Sequence, residues 1–171
     1  MGRFMLKKSI ILTGMPGSGK STVGKLLAEK LQLPFCDTDD LIIKKTGEAL
    51  QDIIDERGRD AFLKEEHDVL MELKGDPVSV IATGGSVILH EDAIEHLKTI
   101  GTIVFLDADL PLIRKRLWNM DHRGIVFGKD DNDIFNVYKE REPLYYKHSD
   151  IRVHIRNKRV REIVEEILKQ I

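Results

Sequence analysis

With 171 residues the chain has the length of one domain with a substantial core, and no Pro/Gly/Ser-rich linker divides it. Its 27 basic and 29 acidic residues are well mixed and leave a net charge of −2, which excludes the electrostatic footprint of a non-specific nucleic-acid binder and favours a small-molecule partner. The lone Cys36 excludes an internal disulfide and a cysteine-built metal site, and the apolar run after Met1 to Lys8 is too short for a signal peptide or a membrane span. A cytoplasmic monomer with no nucleic-acid or membrane partner is expected.

Ile10-Ile11-Leu12-Thr13 reads as a buried strand, and Thr22 to Leu31 as a helix. Between them lies Gly14-Met15-Pro16-Gly17-Ser18-Gly19-Lys20-Ser21, the strand, loop and helix order of a phosphate-binding loop. Glycines there let backbone N–H groups close around phosphate oxygens, and the helix start adds its positive end. Lys20 is placed to reach the β- and γ-phosphates of a nucleotide, and the Ser21 hydroxyl to bind the magnesium bridging them. Thr22 continues the helix and backs the site.

Leu33-Pro34-Phe35-Cys36 reads as a second strand running into Asp37-Thr38-Asp39-Asp40, which can cap a helix beginning near Leu41. In open α/β sheets ligands bind beyond the carboxyl ends of the strands, so Asp37 and Asp39 are candidates to meet the phosphate loop. Asp37 is suited to a magnesium-bound water, and Asp39 to a hydroxyl acceptor as base or orienter. From Leu41 to Leu73 helical periodicity is broken at Gly47 and Gly58, which predicts two or three short helices able to cover an acceptor. His67 reads as a surface or packing residue.

Val78-Ser79-Val80-Ile81-Ala82 is a buried strand ending at Thr83-Gly84-Gly85-Ser86, whose glycines leave room for a ligand or a neighbouring loop. A helix over Glu91 to Thr99, a strand over Ile103 to Leu106 and a helix over Leu110 to Trp118 follow. Between Asn119 and Asp133 the pattern stops in a polar, glycine-punctuated stretch that reads as a lid, with Arg123 able to swing onto developing phosphoryl charge. Asp133 to Tyr146 is helical until Pro143 interrupts it. Ile151 to Ile155 alternates like a strand, and Val160 to Gln170 closes the chain as an amphipathic helix with a solvated charged face. The expected organisation is one domain over 1–171, with five parallel strands and helices on both faces.

Four separated segments, Gly14 to Thr22, Phe35-Cys36-Asp37-Thr38-Asp39, Ala82-Thr83-Gly84-Gly85 and Arg141-Glu142-Pro143-Leu144-Tyr145, resemble the shikimate kinases, and the resemblance runs from Ile10 to Ile155. It implies a three-layer α/β sandwich of the nucleoside-monophosphate-kinase type, with strand order 2-3-1-4-5, an acceptor-binding insert over 38–74 and a lid over 119–133. It also implies ATP with magnesium as donor and a carbocyclic alcohol, most simply shikimate, as acceptor. By position Asp37 would serve the magnesium shell, Asp39 the acceptor hydroxyls and Arg141 the acceptor carboxylate. Gly84 and Gly85 would approach the acceptor, Arg123 would be the lid arginine, and Arg116 would lie against adenine.

The chain departs from that pattern at Leu63, where an arginine would follow Phe62 and precede Glu66, at Ser86 in place of a third glycine, and at Gly124-Ile125-Val126 in the lid. A carboxylate that loses one of two guanidinium partners loses ~1.5–3 kcal/mol. Arg59, four residues before Leu63 and hence one turn away, offers a replacement. The alternatives are a related polyol or hydroxy acid as acceptor, and, in another class, an ATP-binding regulatory module without catalysis.

Overall fold

β1 (Ser9–Thr13) is buried at all five positions, which is why Ser-Ile-Ile-Leu-Thr shows no alternation: a central parallel strand is covered on both faces. In the computed structural model, which describes residues 6–118 and 131–171, β1 pairs in parallel with β3 (Val80–Ala82) on one side and β4 (Gly101–Asp107) on the other. β2 (Phe35–Asp37) and β5 (Ile151–His154) form the edges, giving the order β2-β3-β1-β4-β5. This is the three-layer α/β architecture expected from the resemblance.

Connections of this sheet are helical: α1 (Lys20–Leu31), α2 (Thr38–Thr46), α3 (Leu50–Asp52), α4 (Arg59–Glu72), α5 (Glu91–Ile100), α6 (Leu110–Trp118), α7 (Asp131–His148) and α8 (Val160–Leu168). The segment between Gly47 and Gly58 is broken as expected. Both glycines take positive φ, 71° and 87°, and α3 runs on into a single π-helical turn over Ile53–Arg57. α2 to α4 bury a small apolar cluster of their own, Ile42, Leu50, Ile53, Phe62 and Val69, beside the main core on the sheet. Among the described residues no helix is long and apolar enough to cross a membrane.

Two element boundaries correct the sequence reading. α2 starts at Thr38 rather than near Leu41, because Asp37 itself is the cap and its Oδ1 accepts from the Asp39 N–H at 2.9 Å. α7 also continues through Pro143. Pro143 and Lys139, whose carbonyl the missing N–H would have served, are both exposed, so water can take that carbonyl. The opposite stripe, Arg141, Tyr145 and His148, is buried and holds the helix in place.

Ser9 and Gly101 are register partners at the start of β1 and β4. A Cβ on Gly101 would lie 2.8 Å from the Ser9 carbonyl oxygen and 2.6 Å from Ile11 Cδ1. Gly101→Ala is therefore expected to lower the unfolding free energy by ~1–3 kcal/mol through overpacking, measured by chemical denaturation; an unchanged midpoint would contradict this pairing.

Candidate active site

The carboxyl ends of the strands open into a cleft of about 460 Å³, and its floor is the loop between β1 and α1. Gly17 and Gly19 sit at φ 80° and 89°, where a side chain would be strained. Gly19 is also the N-cap of α1 and supplies no side-chain bond, so the first-turn N–H groups are left for an anion. Lys20 is buried, and its Nζ donates to the carbonyl oxygens of Gly14 at 2.7 Å and Met15 at 2.9 Å. Burial holds the Lys20 amine down to about 8, against the pull of Asp39 and Asp37. An anionic phosphate beside it favours the charged form. Arg116 reaches across the loop from α6 and donates to the Gly17 carbonyl at 2.9 Å.

Asp37 uses both carboxylate oxygens. One caps α2, and the other accepts the Ser21 hydroxyl at 2.5 Å, tying the start of α1 to the end of β2. Magnesium is characteristically held by one or two protein oxygens with substrate phosphates and water completing its shell. A hydroxyl and a carboxylate side by side at the phosphate loop fit that pattern.

Asp39 follows on the first turn of α2 and lines the same cleft with Glu66 and Phe62 of α4, Thr83, Gly85 and Ser86 after β3, and Arg141 of α7. Burial first, then the negative charges of Asp37 and Glu66, push the Asp39 carboxyl up to about 7. Arg141 is 2% exposed. Its helix is anchored by Tyr145, which stacks on Phe105 at 5.0 Å and donates its hydroxyl to the Gly85 carbonyl at 2.5 Å.

The two glycines after β3 have different reasons. A Cβ on Gly85 would stand 2.6 Å from Pro16 Cδ, so its missing side chain makes room for the phosphate loop. A Cβ on Gly84 would meet Glu66 Oε2 at 2.7 Å and Asp39 Oδ1 at 3.1 Å, so that space belongs to two carboxylates.

The structure thus brings the phosphate loop from Pro16 to Thr22, Asp39, Gly85, Arg116 and Arg141 to one cleft. Gly14 and Met15 lie beneath it as partners of Lys20. Arg59 is exposed at the start of α4 and is not among the residues lining the cleft, while Leu63 packs half-buried against the small apolar cluster. Arg123 and the lid over 119–133 lie outside the described residues, apart from the start of α7. Sequence reasoning did not assign site roles to Glu66 or Ser86. It also missed Lys158, Val160 and Ile163, which reach the cleft at the start of α8. A buried acid on the same helical face as Phe62 was the available signal for Glu66; nothing in local spacing marks the α8 residues. His67 pairs with Asp92 at 2.8 Å and packs edge-on to His90, outside the cleft lining.

The family model described as shikimate kinase matches residues 16–171. A curated shikimate kinase from Bacillus anthracis is 37% identical over 164 residues, 96% of this chain and 98% of the relative. Among solved structures, a shikimate kinase from Acinetobacter baumannii in complex with shikimate superposes with a TM-score of 0.90 at 30% identity, covering 98% of this chain and 94% of that one. One from Aquifex aeolicus gives 0.80 at 34% identity, covering 94% of each.

The raised Asp39 carboxyl has a defined thermodynamic sign. Folding strengthens proton binding relative to the ordinary value of 3.8, so this group's contribution to stability falls as pH rises from about 4 to about 7. Asp39→Asn is expected to raise the melting temperature over wild type at pH 8, with the gain shrinking toward pH 5. Carbon-detected NMR should place the Asp39 midpoint near 7 and move it down in Glu66→Gln; a wild-type midpoint below 5 would contradict the assigned burial.

Proposed function

The chain belongs to the shikimate kinase family and is a phosphotransferase acting on an alcohol with ATP and magnesium, and on that premise we propose that its acceptor is shikimate, converted to shikimate 3-phosphate. The observation that carries this reading is a carboxylate suited to a hydroxyl, Asp39, and a guanidinium suited to a carboxylate, Arg141, lining one cleft with Lys20 of the phosphate loop.

In this reading Lys20 leaves the Gly14 and Met15 carbonyls for the β- and γ-phosphates of ATP, and the first turn of α1 receives the phosphate oxygens. Arg116 lies on the nucleotide side of the loop. Ser21 directly and Asp37 through water would hold magnesium, which supplies neutralisation of charge on the β- and γ-oxygens. Arg141 takes the shikimate carboxylate and turns one ring hydroxyl toward Asp39. As the oxygen–phosphorus bond to the acceptor forms and the bond to the ADP oxygen breaks, the hydroxyl proton passes to Asp39. A carboxyl titrating near 7 is matched to that exchange. Arg123 is proposed to close on the transferring phosphoryl group.

A second reading keeps the chemistry and changes the acceptor to a neutral cyclic polyol. It is favoured by Leu63 together with the exposed position of Arg59, which leave Arg141 as the guanidinium lining the described part of the acceptor end.

Steady-state kinetics separate the two. If shikimate is the acceptor, wild type turns it over in preference to neutral cyclic polyols, and Leu63→Arg lowers its KM about tenfold, the worth of one added charge-assisted contact of ~1.4 kcal/mol. Turnover of a neutral polyol but not of shikimate would overturn the first reading. For the donor end, Lys20→Ala is expected to reduce kcat ~10²–10³-fold with little change in the ligand-free melting temperature. Near-normal turnover at saturating ATP would remove Lys20 from its assigned role.

A further inference from the structure

Two departures from the family pattern, Leu63 and Ser86, converge on one side chain. Glu66 is fully buried on α4, yet its carboxylate lines the cleft. The Ser86 hydroxyl lies 2.7 Å from Oε1 and 2.9 Å from Oε2, and His90 Nε2 lies 3.0 Å from Oε1. Position 63 precedes Glu66 by three residues on the same helix, where a cationic side chain would be its direct neighbour. Leucine cannot donate a hydrogen bond, and here it packs into the small apolar cluster instead. A buried carboxylate without donors is strongly unfavourable, so the partners that Glu66 does have decide where it points.

We propose that Ser86 is a positioning residue of the acceptor site: its hydroxyl fixes the Glu66 carboxylate on the cleft wall beside Asp39, as a hydrogen-bond acceptor for the hydroxyl groups of the incoming alcohol. The inference rests on the acceptor reading above. A serine hydroxyl carries one proton, and an ionised carboxylate offers about four acceptor sites. Ser86 and His90 therefore leave Glu66 with unused capacity, and Glu66 lines the cleft. Glu66 Oε2 and Asp39 Oδ1 both close on the space that a Cβ of Gly84 would fill, so the two carboxylates form one wall. That wall selects polyhydroxylated acceptors. It does so through Glu66, because the single hydroxyl proton of Ser86 is already committed to that carboxylate.

The test is steady-state kinetics of the full-length enzyme with shikimate as probe. Ser86→Ala removes the hydroxyl and keeps the Cβ; the shikimate KM is expected to rise about tenfold with the ATP KM within twofold of wild type. In a Glu66→Ala background, which removes the acceptor oxygens, the same substitution should change the shikimate KM less than twofold, because Ser86 acts through Glu66. A shikimate KM within twofold of wild type for Ser86→Ala overturns the inference and leaves the acceptor reading intact, and so does an equal tenfold rise in both backgrounds. Turnover of no alcohol by wild type would instead remove the acceptor reading and this inference with it. If Ser86→Ala does not fold, Ser86→Gly, which also removes the hydroxyl, must show the same tenfold rise in shikimate KM, and a KM within twofold of wild type overturns the proposal.

Discussion

Both oxygens of one carboxylate, Asp37, join the two halves of the site. Through Oδ2 it receives the Ser21 hydroxyl and so fixes the first turn of α1 against the end of β2. Through Oδ1 it caps α2 and so sets the direction in which Asp39 leaves the sheet. Remove either contact and one end of the cleft is no longer in register with the other. The rest of the sheet serves that junction: β3 lies between β1 and β2, and the Thr83 hydroxyl holds the loop after β3 to the Leu12 carbonyl at 2.8 Å. The Gly84 N–H donates to the Thr38 hydroxyl at 3.2 Å, linking that loop to α2 in turn. Three strand ends are thus pinned by side chains that follow them in sequence.

The same compression sets the electrostatics. Asp37, Asp39 and Glu66 face Lys20 and Arg141 in a region where burial dominates every resolved shift, so Asp39 is pushed up to about 7 and Lys20 down to about 8. Neither group would gain by this in an isolated protein. In the proposed reading, phosphates would favour the charged ammonium, and a neutral acceptor hydroxyl would donate a hydrogen bond to the ionised carboxylate. A site held in readiness for charge that develops later stabilises the transition state without reorganising, and its cost appears as reduced stability of the empty fold.

What the sequence disclosed follows from how local each signal is. The phosphate loop is contiguous, and the strand-end rule placed Asp37 and Asp39 because their position needs only β2 to be identified. The lone Gly-Gly after β3 announced a close approach without saying by what; the answer, Pro16 at one glycine and two carboxylates at the other, depends on which strand lies beside β3. Arg59 looked able to replace a missing cation because helical spacing puts it one turn from Leu63. Spacing fixes the face of a helix, however, and not whether that face turns toward the cleft. Pro143 pointed to a break that its exposed setting makes unnecessary, and Val160 and Ile163 reach the cleft only because α8 packs along α1.

The two ends of the cleft differ in the kind of atom they use, and that difference explains where the chain has diverged. The donor end is made chiefly of backbone: N–H groups of a loop and a helix start, which almost any change of side chain elsewhere leaves in place. The acceptor end is made of side chains from α2, α4, α7 and the loop after β3, each held by a partner on another element. A change there alters recognition at once, and it can persist only if the partner left behind finds another donor. Leu63 packs α4 against the small cluster and offers Glu66 no hydrogen bond, while Ser86 and His90 supply hydrogen bonds to the buried Glu66 carboxylate. A side-chain substitution at Leu63 or Ser86 therefore leaves the backbone of the phosphate loop in place, because neither residue hydrogen-bonds to it among the described contacts.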